Sequence, residues 1–229
     1  MINKRDFVSI DYAGKLEEGT IFDTTDEKLA KENELQAAPR TTICIGEGMI
    51  LQGIDDQLIG KKEGTYTLTI APEDAFGKKN AKLIQLIPSG RFTDQKIEPQ
   101  VGLQLNIDGI MGIIRNVSGG RVLVDFNHPL SGRTVVYEVT VHEIVKDQQK
   151  KVEALATALG GSARKDGDKY VIQTQHELDA KSKDELTKKF KELCEVAAVF
   201  ETVKTPADTS AKTKPHPAKA SEDKDPKAQ

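Results

Sequence analysis

The groups able to do covalent chemistry are present in this chain, but not at the spacings that such chemistry needs. His128, His142, His176 and His216 fall at none of the intervals at which His, Cys, Asp and Glu share an ion, so no metal site is expected. Gly46-Glu47-Gly48 followed by Gly53 hints at a phosphate cradle, yet it fits neither the dinucleotide fingerprint nor the P-loop, and no Lys-Ser/Thr pair follows. Turn glycines explain it better. The acidic pairs Asp55-Asp56 and Glu73-Asp74 are adjacent, and adjacent residues do not face one another on a helix, so solvated surface is the stronger reading. No Ser-His-Asp or Cys-His constellation stands out, and no cofactor is expected.

What does stand out is an ordered series of aromatic and aliphatic residues with one acid. Tyr12 sits in V-S-I-D-Y-A-G, and Phe22-Asp23 closes E-E-G-T-I-F-D. Ile50, Leu51 and Ile54 fall in C-I-G-E-G-M-I-L-Q-G-I-D-D-Q-L-I-G, Phe76 in I-A-P-E-D-A-F-G, and Tyr137 in T-V-V-Y-E-V-T-V. Each piece is common; the five in this order and spacing are specific. Over residues 1–146 the series closely resembles the FKBP family of peptidyl-prolyl cis-trans isomerases. The stretch that precedes N-H-P-L-S-G (Asn127 to Gly132) is similar to the flap insertion of the SlyD-type branch, and the C-terminal extension to that of long archaeal members. The resemblance implies that Tyr12, Phe22, Asp23, Ile50, Leu51, Ile54, Phe76 and Tyr137 line a proline pocket, with His128 and Leu130 at its rim. It also implies substrates that are unfolded or nascent polypeptides with X-Pro bonds, and chaperone activity in the insert. Ile54 stands where many members have a Trp floor, which implies weak macrolide affinity. Phe76 stands where many have Tyr, which removes a hydroxyl able to bond the substrate carbonyl.

Such a pocket suits this reaction. No covalent bond is made or broken; the obstacle is the partial double bond of the imide, a barrier of roughly 18–20 kcal/mol. Resonance places charge on oxygen and nitrogen, so an apolar site that removes water disfavours the planar form relative to the twisted one. A thousandfold acceleration needs about 4 kcal/mol of such differential stabilisation. Asp23 and the Tyr12 hydroxyl would then form a polar wall that orients the substrate or the twisted carbonyl. The blander reading has Tyr12 and Asp23 satisfying each other beside an ordinary core. The functional reading is favoured for Tyr12, Phe22 and Asp23 together, and the core reading for Ile50 or Ile54 alone. A holdase with a decayed pocket is the alternative function.

The elements that must position these residues are legible as changes of period. Val8, Ile10 and Tyr12 alternate with Phe7, Ser9 and Asp11, and Thr65 to Ile70 and Thr134 to Ile144 repeat the half-buried strand pattern. Leu51, Ile54 and Leu58 change to helical spacing, stopped by Gly60. The expectation for residues 1–82 with 128–146 is an α+β domain, an antiparallel sheet with one short helix. Residues 83–127 carry sparse charge and short apolar runs: Leu83 to Ile87, Leu103 to Ile107, Ile110 to Ile114 and Val122 to Phe126. They read as a small all-β domain inserted at a loop tip. Residues 147–204 read as helix–strand–helix–strand, with the second helix opening at Ser182 ahead of Glu185 in a capping box. So small an α/β unit is expected to lean on a partner surface, or on itself across a homodimer, or to be an accessory domain. Residues 205–229 lack Val, Ile, Leu, Met and aromatics and read as a disordered tail.

Bulk composition narrows the rest. A formal net charge of −3 argues against wrapping nucleic acid. No apolar run has the length of a membrane span or the form of a signal peptide, so no membrane partner is expected. Cys44 and Cys194 frame no disulfide pattern, which fits a reducing, cytoplasmic setting.

Overall fold

The computed structural model describes residues 1–107 and 109–203. The tail expected at 205–229 lies outside the described residues. In chain order the elements are β1 (Phe7–Leu16), β2 (Ile21–Thr24), α1 (Glu27–Glu32), β3 (Thr41–Cys44), α2 (Gln52–Leu58), β4 (Gly64–Ile70), β5 (Ile84–Pro88), α3 (Gly90–Asp94), β6 (Gln104–Ile107), β7 (Ile110–Ser118), β8 (Arg121–Asp125), β9 (Val135–Ile144), α4 (Gln148–Ala158), β10 (Ser162–Asp166), β11 (Lys169–Thr174), α5 (Ala180–Cys194) and β12 (Ala197–Thr202). No helix among the described residues is long and apolar enough to cross a membrane.

Three sheets organise these elements, giving an α+β fold. The first runs β2-β1-β9-β4, all antiparallel, with β3 pairing the N-terminal half of β1 while β2 pairs its C-terminal half. Strict alternation on β9 sends Val135, Tyr137, Val139 and Val141 inward and leaves Glu138 and His142 exposed. Ile54 and Leu58 of α2 are sealed against this face, where they join Val8, Ile10, Leu68 and Ile70. Gly53 permits the close approach: a Cβ there would lie 2.2 Å from Ile70 Cγ2. Two short helices accompany the sheet rather than the one expected. α1 has six residues and buries Ala30 alone, too little for an apolar period, and it forms because the Asp26 carboxylate caps the N–H groups of Lys28 and Leu29.

β1 departs from the half-buried pattern, since Phe7, Val8, Ser9 and Ile10 are all buried. Val8 and Ile10 enter the first core, whereas Phe7, with Cys44 and Val145, packs into a second core built by Val152, Leu155, Phe190, Leu193 and Cys194. The surface on which the C-terminal unit leans is therefore the back of the first sheet. Cys44 and Cys194, remote in sequence, are buried free thiols in this one core, and burial pushes both up to about 12. The unit's sheet runs β10-β11-β12, antiparallel then parallel across the α5 crossover. β10 was not visible as a pattern because it is an edge strand, S-A-R-K-D, with only Ala163 turned toward the core. The second helix opens three residues before the expected Ser182: Asp179 is its cap and accepts from the Ser182 N–H at 2.7 Å.

The sheet of residues 84–125 runs β5-β8-β7-β6 around a small core of Phe92, Ile114, Val122 and Val124. It is not purely β, because α3 lays Phe92 over one sheet face, and one helical turn is too short to show a period. Two chain crossings join this sheet to the first. They are locked by Asn127, whose Oδ1 accepts the Asn80 N–H at 2.8 Å and whose Nδ2 donates to the Asn80 carbonyl at 3.1 Å. Asn127 donates through both N–H and Nδ2 to the buried Asp125 carboxylate, which also pairs with Arg115 and Lys79. Burial alone would raise the Asp125 carboxyl, but these donors and cations hold it below the usual range.

The second core has a simple test. Phe190 is 1% exposed, so Phe190→Ala should lower the unfolding free energy by about 3–5 kcal/mol in a urea titration followed by circular dichroism. The exposed Glu185→Ala should change it by less than about 0.5 kcal/mol.

Candidate active site

The site begins in the register of β1 on β9, where Tyr12 lies opposite Val139 and Gly14 opposite Tyr137. Across an antiparallel pair such residues share a face, so a large ring facing a glycine can fold over the empty position. Tyr137 does so: a Cβ at Gly14 would stand 2.8 Å from its Cζ and 3.0 Å from Phe22 Cζ. β2 contributes through a bulge. Ala13 pairs with Thr24 and Gly14 with Asp23, but Lys15 pairs with Ile21, which leaves Phe22 without a partner. A bulge re-aims side chains that strict alternation would send to opposite faces. The Phe22 ring thus packs edge-on against Tyr137 at 5.8 Å, while Asp23 lies close enough to act on the hydroxyls of Tyr12 and Tyr137.

From there the rings continue. Tyr12 and Tyr137 are tilted at 5.9 Å, Phe22 meets Phe76 edge-on at 5.8 Å, and Phe76 stacks flat on His128 at 4.7 Å. Phe76 lies on the loop after β4, where its carbonyl accepts from the Ser131 hydroxyl at 2.9 Å. The Gly132 N–H donates to the Gly77 carbonyl, and the Leu130 N–H to His128 Nδ1, so the rim segment is tied to the loop it faces. Ile54 is fully buried and Tyr137 nearly so. Tyr12, Phe22, Ile50, Leu51, Phe76 and Leu130 are half-buried on the same core, and His128 is exposed. The sequence-derived set is therefore brought together, with Ile54 and Tyr137 below and the half-buried rings around them. Asp23 is the acid among them.

Electrostatics keep the two phenols of the site protonated. Burial first, then the Asp23 charge, pushes the Tyr12 phenol up to about 12, and the same causes raise Tyr137 further. Both are hydroxyl donors throughout the physiological range. No group of three His, Cys, Asp or Glu among the described residues is placed to hold a metal ion. The arrangement can desolvate an apolar ring and offer one carboxylate and two phenols to a polar neighbour.

Known proteins are similar to this chain in sequence. A family model described as FKBP26, IF domain, matches residues 85–130. A short-type peptidyl-prolyl cis-trans isomerase of Methanocaldococcus jannaschii is 34% identical over 149 residues, covering 63% of this chain and 94% of the relative. The chain belongs to the FKBP-type peptidyl-prolyl isomerase family. An FKBP-type 16 kDa isomerase of Escherichia coli K12 is 34% identical over 143 residues, covering 60% of this chain and 89% of that one. A SlyD isomerase of Vibrio cholerae is 32% identical over 147 residues, with 61% and 67% covered.

Two parts of this FKBP-type site were missed in the sequence. Gly14 has a detectable signal, two residues after Tyr12 on one strand face, but its purpose depends on which residue lies opposite. Ser131 has none, since its partner is a backbone carbonyl brought near by the fold.

Gly14→Ala should force the Tyr137 and Phe22 rings apart, costing about 1–3 kcal/mol of stability in urea unfolding. Peptide isomerisation should fall about tenfold or more through misplaced rings. Phenolate absorbance should show Tyr12 ionising near pH 12, and Tyr12→Phe should remove that component. A raised folded-state value means that folding keeps the proton longer. Tyr12 should therefore contribute stability below about pH 10 that is lost as pH rises toward about 12.

Proposed function

We propose that this FKBP-type protein catalyses cis-trans isomerisation of X-Pro bonds in unfolded or nascent polypeptides, and that its second sheet captures those clients. The observation that carries the catalytic part is the continuous run of rings from Tyr12 through Tyr137, Phe22 and Phe76 to His128. A proline ring held by Ile50 and Leu51 brings its imide among these rings and over Ile54, where it loses water, and with it the solvation that favours the charge-separated planar imide. The twisted imide has less charge to solvate, so the apolar walls stabilise it relatively. Asp23, with Tyr12 beside it, orients the polar groups of the substrate at the one charged edge. No bond to the protein is required.

Support for capture comes from the face of the second sheet turned away from α3. Register places Leu86 opposite Leu123, and both Ile84 and Ile113 opposite Asp125, with Met111 two residues before Ile113 on the same face. Leu86 is 53% and Met111 56% exposed, although the sheet has its own core on the other side. An apolar sheet face left open to water is suited to non-specific contact with unfolded chains.

Asp23→Ala should lower isomerisation of an X-Pro tetrapeptide by about tenfold or more, since a positioned charge in a dry site is worth several kcal/mol. The wild-type chain failing on tetrapeptides while still preventing aggregation would instead make it a holdase. Leu86→Lys with Met111→Lys should weaken catalysis of a proline-limited protein refolding reaction by about tenfold and leave the tetrapeptide rate within about twofold. Equal effects on both substrates would remove the capture role.

A further inference from the structure

The pocket wall formed by Ile50 and Leu51 is the end of a turn, Gly46 to Met49, that lies between α2 and the C-terminal unit. On the α2 side it faces the buried carboxylate of Asp55, the residue next to Ile54, and the Asp55 Oδ1 has no hydrogen-bond partner among the described residues. On the other side lies the C-terminal unit. Met49 packs against the pocket's core and the C-terminal core at once, and its sulfur accepts the Cys44 N–H at 3.2 Å. Glu47, with a side chain only 19% exposed, pairs with Lys189 of α5 at 2.8 Å. A cavity of about 250 Å³ lies between the turn and the two helices, lined by Leu155, Ala158, Leu186 and Phe190 among others. Gly46 and Gly48 both have positive φ, a backbone that glycine takes without strain, so the tight turn rests on these two residues.

We infer that the C-terminal unit is a positioning element of the prolyl pocket: Lys189, through Glu47, and the C-terminal core, through Met49, set where Ile50 and Leu51 stand. Lys189 touches no substrate; it acts through the turn. Ile50 and Leu51 are apolar contacts that a proline ring meets equally in its planar and twisted states. Their displacement is uniform loss of binding, which appears in KM rather than kcat. If the unit only added stability, breaking the pair would lower the melting temperature and leave both constants alone. The turn and α5 line one cavity and share the Glu47–Lys189 pair, so whatever shifts α5 shifts the wall.

The inference rests on the pocket reading above and is tested in the full chain with an X-Pro tetrapeptide. Lys189→Glu, which sets two acids against each other at the turn, should raise KM about threefold or more with kcat within about twofold. Adding Glu47→Lys should restore KM to within about twofold of wild type, because the pair is remade with its charges exchanged. The Ile50 methyl resonance should shift in the single variant and return in the double. If the reversal unfolds the unit, Lys189→Gln removes the pair without repulsion and should raise KM about twofold with the same methyl shift. An unchanged KM despite a lowered melting temperature, or a raised KM that the charge exchange does not reverse, overturns the inference. Loss of the pocket reading itself would look different: the wild-type chain would not isomerise the peptide.

Discussion

An absence of side chain at one position, Gly14, is the constraint on which the site depends. Opposite it on the β1–β9 ladder stands Tyr137, and the ring can fold inward only because nothing projects from the facing residue. Phe22 then leans on Tyr137, Phe76 on Phe22, and His128 on Phe76. Each ring takes its place from the one before, so the first sheet's register is translated into the shape of the pocket. Aromatic rings are well suited to such a relay, being large, stiff, and most stable edge-on or offset.

The ladder alone would place Phe22 and Asp23 on opposite faces. The bulge opposite Gly14 and Lys15 undoes this and brings an apolar and a charged residue to one site from consecutive positions. Asp23 and the two phenols it affects form a polar edge beside the apolar rings. Burial keeps the phenols protonated, so they remain donors next to a carboxylate.

The other two sheets meet the pocket at different points. The second sheet is joined through a narrow neck, in which Asn127 mimics a backbone partner for Asn80 and a buried Asp125 organises the donors. His128 and Leu130 follow that neck directly, so the rim of the pocket and the orientation of the second sheet share one hydrogen-bond network. The third sheet's helices close the back of β1 and β3 and grip the turn that leads into Ile50. A paired buried network resists small displacements, so the second sheet is fixed relative to the rim residues that follow its neck.

Much of this was legible in residue order. Alternation located β1, β4 and β9, the change to helical spacing located α2, and the five-part series identified the family and picked out residues that the structure gathers on one core. The thinning of charge after Leu83 marked the second sheet. What residue order could not contain is whatever depends on the residue opposite. The role of Gly14 requires the β1–β9 register, and the joint aim of Phe22 and Asp23 requires a bulge that alternation contradicts. Burial of Phe7 on the second face of β1 requires a core completed almost two hundred residues later by Phe190 and Leu193. Short elements with little to bury, such as α1, α3 and β10, leave no period to read. Local pattern records which face of an element is apolar; which partner covers that face is a matter of long-range packing, and only the tertiary structure decides it.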